Sequence, residues 1–229
     1  MHSEFQSRQA DCLSGGVLFT PITIIGAGAI GSFVALSLAK MGFNTIEVWD
    51  DDVVSVENMN CQFYPIDMIG APKTGALGEV VLDYTGVTIR EVRKRFTNEF
   101  EQTPHIVISA VDSMEARTNV YNTWKSVSWR SRTHTIIDPR MSIEYAHIQC
   151  IDTHNAHERK SYTESLFPDS EAVQERCTNK SIMYTVLTIS GLVCKMVKDR
   201  VMHKPYVRNA MYSIEKNELI SFKGEGVKW

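Results

Sequence analysis

The sequence predicts an α/β fold: a mostly parallel sheet flanked by helices, with an antiparallel extension at its C-terminal end. Three observations carry this expectation. A short apolar run at 21–25 passes through a glycine turn into apolar residues at helical spacing over 30–41, and a second apolar run follows at 46–49. That order is strand, helix, strand, which implies a parallel pair and a right-handed crossover. Apolar runs and helical segments then keep alternating as far as residue 151, and 210–222 reads as a hairpin turning at Lys216 and Asn217.

Each element follows from its residues. Gly42 stops the first helix, and Asp50, Asp51 and Asp52 end the second strand. A second helix is predicted over 68–82, an outer strand over 87–92, a buried strand over 106–110, a helix over 115–127, and strands over 135–137 and 145–151. Polar residues and Pro168 then break the pattern, which predicts a flexible crossover loop over 152–180. Residues 181–200 are mostly apolar with basic residues gathered at their end, as in a buried helix whose dipole is completed by cations. The expected organisation is one domain over 1–229, with an N-terminal arm at 1–20 and a C-terminal helix and hairpin over 181–229.

Composition narrows the function classes. A chain of 229 residues that is 43% hydrophobic can bury one substantial core. Its net charge of -3, with acidic and basic residues interleaved, argues against a nucleic-acid face. No run reaches the roughly 18 apolar residues of a membrane span, and the first residues lack the apolar core of a signal peptide. Cys12, Cys61, Cys150, Cys177 and Cys194 include no C-x-x-C pair, which points away from disulfides and structural zinc and toward a reducing cytoplasm.

Gly26-Ala27-Gly28-Ala29-Ile30-Gly31 is a G-x-G-x-x-G turn between a predicted strand and a predicted helix, where backbone N–H groups and the helix N-terminus face phosphate oxygens. Asp50 ends the next strand, where a carboxylate accepts from ribose hydroxyls. Together they suit any nucleotide-binding Rossmann-like sheet, including that of a nicotinamide-dependent oxidoreductase.

The residues after the second strand are more specific. Asp50, Asp52, Val54, Asn58, Gln62, Gly70, Pro72 and Lys73 fall where the ThiF/MoeB/HesA family carries D-x-D-x-V, S-N-L-x-R-Q and G-x-P-K. Ser7-Arg8-Gln9 is similar to its N-terminal R-Q, and the segment from Asp112 to Arg117 to its D-N-x-x-x-R. The sequence resembles that family most strongly over 8–120. The resemblance implies an ATP-dependent adenylyltransferase that converts the C-terminal carboxylate of a small ubiquitin-like or sulfur-carrier protein ending in glycine into an acyl-adenylate. It implies ATP and Mg²⁺ as cofactors and a homodimer as the assembly. Gly26, Gly28, Gly31, Asp50, Asp52, Asn58, Gln62 and Lys73 would line the nucleotide site, Asp112 would hold Mg²⁺, and Arg8 would reach the ATP of a partner subunit. The chemistry gives a reason for the extra cations, because a triphosphate carries about four negative charges against about two for a dinucleotide pyrophosphate.

Cys177 precedes the predicted C-terminal helix between Arg176 and Lys180, a setting that favours a thiolate. Its place resembles that of the acyl-accepting cysteine of some family members, whereas Cys150 and Cys194 lie in apolar settings that suit an inert core role. Rival assignments stand beside the functional ones: Asp112 as a helix cap and Lys73 as an ordinary surface lysine. The sequence also departs from the family. Cys61 replaces its arginine, which leaves that phosphate contact to Arg90, Arg93 or Arg140, or else marks a catalytically silent scaffold. The family's zinc-binding cysteine pairs are missing where residues 161–168 lie, and His147, His154 and His157 complete no zinc set. A tRNA or a peptide stays open as the acceptor.

Overall fold

A computed structural model of the chain describes residues 7–9, 11–13, 15–128, 135–152, 154–168 and 182–222. Five strands run parallel: β1 (Ile22–Ile25), β2 (Ile46–Trp49), β3 (Arg90–Val92), β4 (Ile106–Ser109) and β5 (Thr135–Met141). Three more, β6 (Tyr145–Asp152), β7 (Asn209–Ser213) and β8 (Glu218–Phe222), extend the sheet antiparallel in the order β3-β2-β1-β4-β5-β6-β7-β8. The helices are α1 (Ala29–Lys40), α2 (Lys73–Thr85), α3 (Met114–Ser128), α4 (Ala156–Glu164) and α5 (Met183–Val201). No helix among the described residues is long and apolar enough to cross a membrane.

The strands β1, β2 and β4 are buried on both faces, which is why they read as unbroken apolar runs. On one face Val34 and Leu38 of α1, Leu77 and Val81 of α2, and Val193 and Val197 of α5 pack with Ile22, Ile24 and Ile108. On the other, Val120 and Trp124 of α3 and Tyr162 of α4 pack with Ile25, Val107 and Ile136. The fold class and the terminal hairpin match the expectation, with Asn217 at a positive φ of 54° in the turn.

Two expectations are corrected. The helix expected over 68–82 begins at Lys73, behind Pro72, whose missing N–H costs nothing before a first helical turn; Ile66–Met68 forms a separate 3-10 turn. Within the expected flexible crossover loop, residues 156–164 form α4. Asn155 caps it, its side-chain oxygen accepting from the His157 and Glu158 N–H groups. Sequence periodicity misses α4 because only Glu158 and Tyr162 are buried, too few to make an apolar stripe.

Between α3, β5 and α4 lies a buried charge cluster. Asp138 is 0% exposed and accepts from Arg117, from Arg140 Nε at 2.8 Å and from the Tyr162 hydroxyl at 3.0 Å. Arg117 also donates to the Val111 carbonyl at 2.5 Å, so the cluster fixes the chain where it leaves β4. Removing the anion leaves two guanidinium groups without their counter-charge, and Asp138→Ala is expected to lower unfolding free energy by about 3–5 kcal/mol in urea titrations.

Candidate nucleotide-binding site

The connections from β1 run one way to β2 and β3 and the other way to β4, so the crevice beyond the carboxyl ends of β1 and β4 is the topological switch point. The glycine turn lies there. Gly26 takes φ +97°, and a Cβ on it would sit 2.5 Å from the Ala110 carbonyl oxygen; one on Gly31 would sit 1.9 Å from the Gly26 carbonyl oxygen. Only glycine lets β1, α1 and the exit of β4 come this close. Gly28 differs: a Cβ there would meet nothing within 4 Å, so its Cα faces open space. No side chain caps α1, and the N–H groups of Gly28, Ala29 and Ile30 find no acceptor among the described residues. Three donors at a helix N-terminus, beside a residue with no side chain, form a cradle for an oxyanion.

Asp50 braces this turn. One carboxylate oxygen accepts from Ala27 N–H at 2.7 Å and the other from Asp52 N–H at 2.8 Å. The residue expected to meet a ribose therefore also has a backbone role, with a lone pair left on each oxygen. Asp50, Asp51 and Asp52 bring carboxylate oxygens within 4.8 Å of one another, an acidic group that the sequence reading did not single out as such.

Lys73 is not an ordinary surface lysine. It is 7% exposed, and its Nζ lies 2.7 Å from Asp52. A bridge between Val53 and Pro72, with Lys73 N–H donating to the Asp52 carbonyl at 3.0 Å, closes the long excursion after β2 and sets the first residue of α2 beside the end of β2. A cation there opposes the helix dipole, and the Asp52 carboxylate offsets that cost.

Asp112 follows β4 and is exposed, and its carboxylate makes no hydrogen bond among the described residues. The rival role as helix cap belongs to Ser113, whose hydroxyl accepts from Ala116 N–H at 3.2 Å. Asn58 accepts from Ser55 N–H at 2.9 Å in a reciprocal capping box, a local role that its sequence position did not announce. The Gln62 side-chain oxygen is buried with no hydrogen-bond partner among the described residues.

The replaced family arginine leaves an apolar plug. Cys61 is buried with Phe33 and Val186 and packs against Ala29, Phe63 and Met141. Of the three arginines considered as substitutes, Arg90 pairs with Glu47 and Glu101, near the amino ends of the strands, where a pocket of about 170 Å³ lies away from the glycine turn. Arg140 is held by Asp138 and Ser165. Arg93 directly follows β3, whose Val92 carbonyl accepts from Asp50 N–H at 3.2 Å, and is exposed at the carboxyl edge.

Arg8 is exposed, and its neighbour Gln9 donates to the Met41 carbonyl at 2.7 Å, beyond the far end of α1. The 12 residues of α1 span about 18 Å, so any role for Arg8 at a glycine turn needs a second chain. Cys177 lies outside the described residues. Burial pushes the thiols of Cys150 and Cys194 up to about 12, as an inert core role requires.

A sequence profile of the ThiF family matches residues 17–223. The chain belongs to the ThiF family. Curated relatives include the NEDD8-activating enzyme E1 catalytic subunit of Arabidopsis thaliana, 35% identical over 104 residues, covering 43% of this chain and 23% of that protein. The SUMO-activating enzyme subunit uba-2 of Caenorhabditis elegans is 31% identical over 113 residues, covering 45% and 19%. The chain thus spans about a quarter or less of these relatives. Among solved structures, PaaA superposes with a TM-score of 0.74 at 16% identity, covering 96% of this chain and 73% of that one. Escherichia coli MccB with ATP gives 0.64 at 14%, covering 90% and 64%. At such identities the likeness shows that the ThiF fold is shared.

The division of labour at the start of α3 is testable by thermal unfolding. Ser113→Ala is expected to destabilise the ThiF-family domain by about 1 kcal/mol, the usual value of an N-cap. Asp112→Asn is expected to leave stability within about 0.5 kcal/mol, as for a surface position.

Proposed function

We propose that the chain is an ATP-dependent adenylyltransferase acting on the C-terminal carboxylate of a small ubiquitin-like protein, a sulfur carrier or a peptide. The observation that carries this reading is the buried Lys73 ammonium at the N-terminus of α2, paired with Asp52, whose own N–H is held by the same Asp50 carboxylate that braces the glycine turn and its open row of backbone donors. A dinucleotide-binding turn has no need of that lysine; a triphosphate does. The residues fit the nucleotide on structural grounds, since Gly28 leaves room for close approach and the amides there are unclaimed. ThiF-family membership, the E1 subunits among the relatives and the ATP-containing MccB structure support the same reading.

In the proposed reaction a carboxylate oxygen of the acceptor attacks the α-phosphorus of ATP, the bond to the β-phosphate oxygen breaks, and pyrophosphate leaves. The carboxylate is already ionised at neutral pH, so the chain need not supply a base. Its own residues bind and orient: the Gly28–Ile30 amides and Lys73 hold phosphate oxygens, and Asp50 holds the turn. Asp112 is the residue that would hold Mg²⁺, which when bound neutralises charge on the departing phosphates. Arg8 of a second copy would complete the cation set in a homodimer. Cys177 is the proposed acyl acceptor, a role for which Cys150 and Cys194 are too deeply buried.

Lys73→Ala is expected to lower ATP–pyrophosphate exchange by about 10²–10³-fold, the loss typical of a group that stabilises charge in the transition state. Exchange within about threefold of wild type would remove Lys73 from that role. The contribution of Arg8 across subunits is read by complementation. Arg8→Ala and Lys73→Ala chains, each inactive alone, should regain up to roughly one quarter of wild-type exchange when mixed, because half of the dimers formed at random then contain one intact site. No recovery in dimers shown to have mixed would rule out the trans contact.

A further inference from the structure

Tyr64 stands two residues after Gln62, outside every motif that the sequence reading singled out. Its ring is buried in the core that α1 and α2 share, yet its hydroxyl reaches back to the glycine turn and donates to the Ala27 carbonyl at 2.6 Å. The segment that carries it is docked on the same helix start. Phe63 N–H donates to the Ser32 hydroxyl at 3.1 Å, the Phe63 ring packs edge-on to Phe33 at 5.1 Å, and Cys61 is buried in the same apolar cluster.

The geometry of the peptide bond makes this contact matter. In a trans peptide the C=O and the N–H of one plane point in opposite directions. The Ala27 carbonyl and the Gly28 N–H belong to one plane, so a hydroxyl that holds the carbonyl inward holds the Gly28 N–H outward. The plane before it obeys the same rule. Asp50 accepts from Ala27 N–H at 2.7 Å, and the Gly26 carbonyl on the opposite side of that plane is the oxygen that crowds Gly31. Two consecutive planes are thus fixed by two side chains, one acceptor and one donor. What they leave pointing into open space is the Gly28 N–H, the first donor of the cradle.

We infer that Tyr64 is a positioning residue for nucleotide phosphate, which acts with Asp50 as a two-sided clamp on Ala27 and aims the Gly28 amide at the bound anion. This inference rests on the proposed ATP reading and deepens it. Tyrosine suits the task because an apolar ring packs in the core while its polar tip meets one buried carbonyl. Desolvation, with the Asp50 and Asp52 carboxylates nearby, pushes the Tyr64 phenol above its ordinary range, so the donor proton stays in place across accessible pH.

The test combines Tyr64→Phe, which deletes only the hydroxyl, with amide hydrogen exchange by NMR in the presence of magnesium and ATP. In the wild-type chain the Ala27 amide should be protected without nucleotide, and the Gly28 amide should exchange quickly and slow by more than about tenfold at saturating ATP. In Tyr64→Phe the dissociation constant for ATP should rise by roughly fivefold or more, the scale of one lost hydrogen bond. At equal ATP occupancy its Gly28 amide should stay less protected, which a loss of stability alone would not produce. Affinity within less than that range, or a Gly28 amide in the wild type indifferent to saturating ATP, overturns the clamp. Should the variant not fold, the wild-type exchange decides. A wild-type chain that binds no ATP at millimolar concentration defeats the nucleotide reading itself and the clamp with it.

Discussion

The approach of α1 to β1 through the Gly26–Gly31 contact is the constraint from which the rest of the site follows. Two backbones can lie this close only if neither carries a side chain at the crossing, and the Ala110 carbonyl presses on Gly26 from the far side. Strand, helix and the exit of β4 thereby converge on one point. The open amides of α1, the brace from Asp50 and the position of Asp112 are all consequences of that convergence.

Around it, charge is handled in two ways. Below the crevice, Asp138 is shut among Arg117, Arg140 and Tyr162, an arrangement that tolerates no missing partner and acts as an anchor. At the rim, Lys73 is buried while Asp52 stays largely exposed, so the pair has one fixed member and one that water can reach. The first arrangement gives rigidity to α3 and β5. The second leaves a cation whose partner can be exchanged.

Much of this was legible in the residues. Parallel strands buried on both faces leave continuous apolar runs, and the glycine spacing correctly placed a close strand–helix approach at Gly26 and Gly31. What stayed hidden depended on contacts, local or tertiary, that residue spacing does not encode. The helix α4 buries too few side chains to show a period, and the spacing did not announce that Asn58 also closes a local turn. Asp112 could not be separated from a cap until Ser113 was seen doing that work. Tyr64 is the clearest case, because a tyrosine in an apolar stretch reads as core and only the fold brings its hydroxyl to Ala27.

The burial of Lys73 has a further consequence for the proposed binding of a phosphate there. An ammonium group is strongly hydrated, and on an exposed lysine that shell must be stripped when a ligand docks. Here the shell is given up as the chain folds, with Asp52 standing in for the departed water. On the proposed ATP reading, docking becomes a swap of one negative partner for another rather than a dehydration, and selectivity at Lys73 would rest on how well an incoming oxyanion outcompetes a carboxylate already in place.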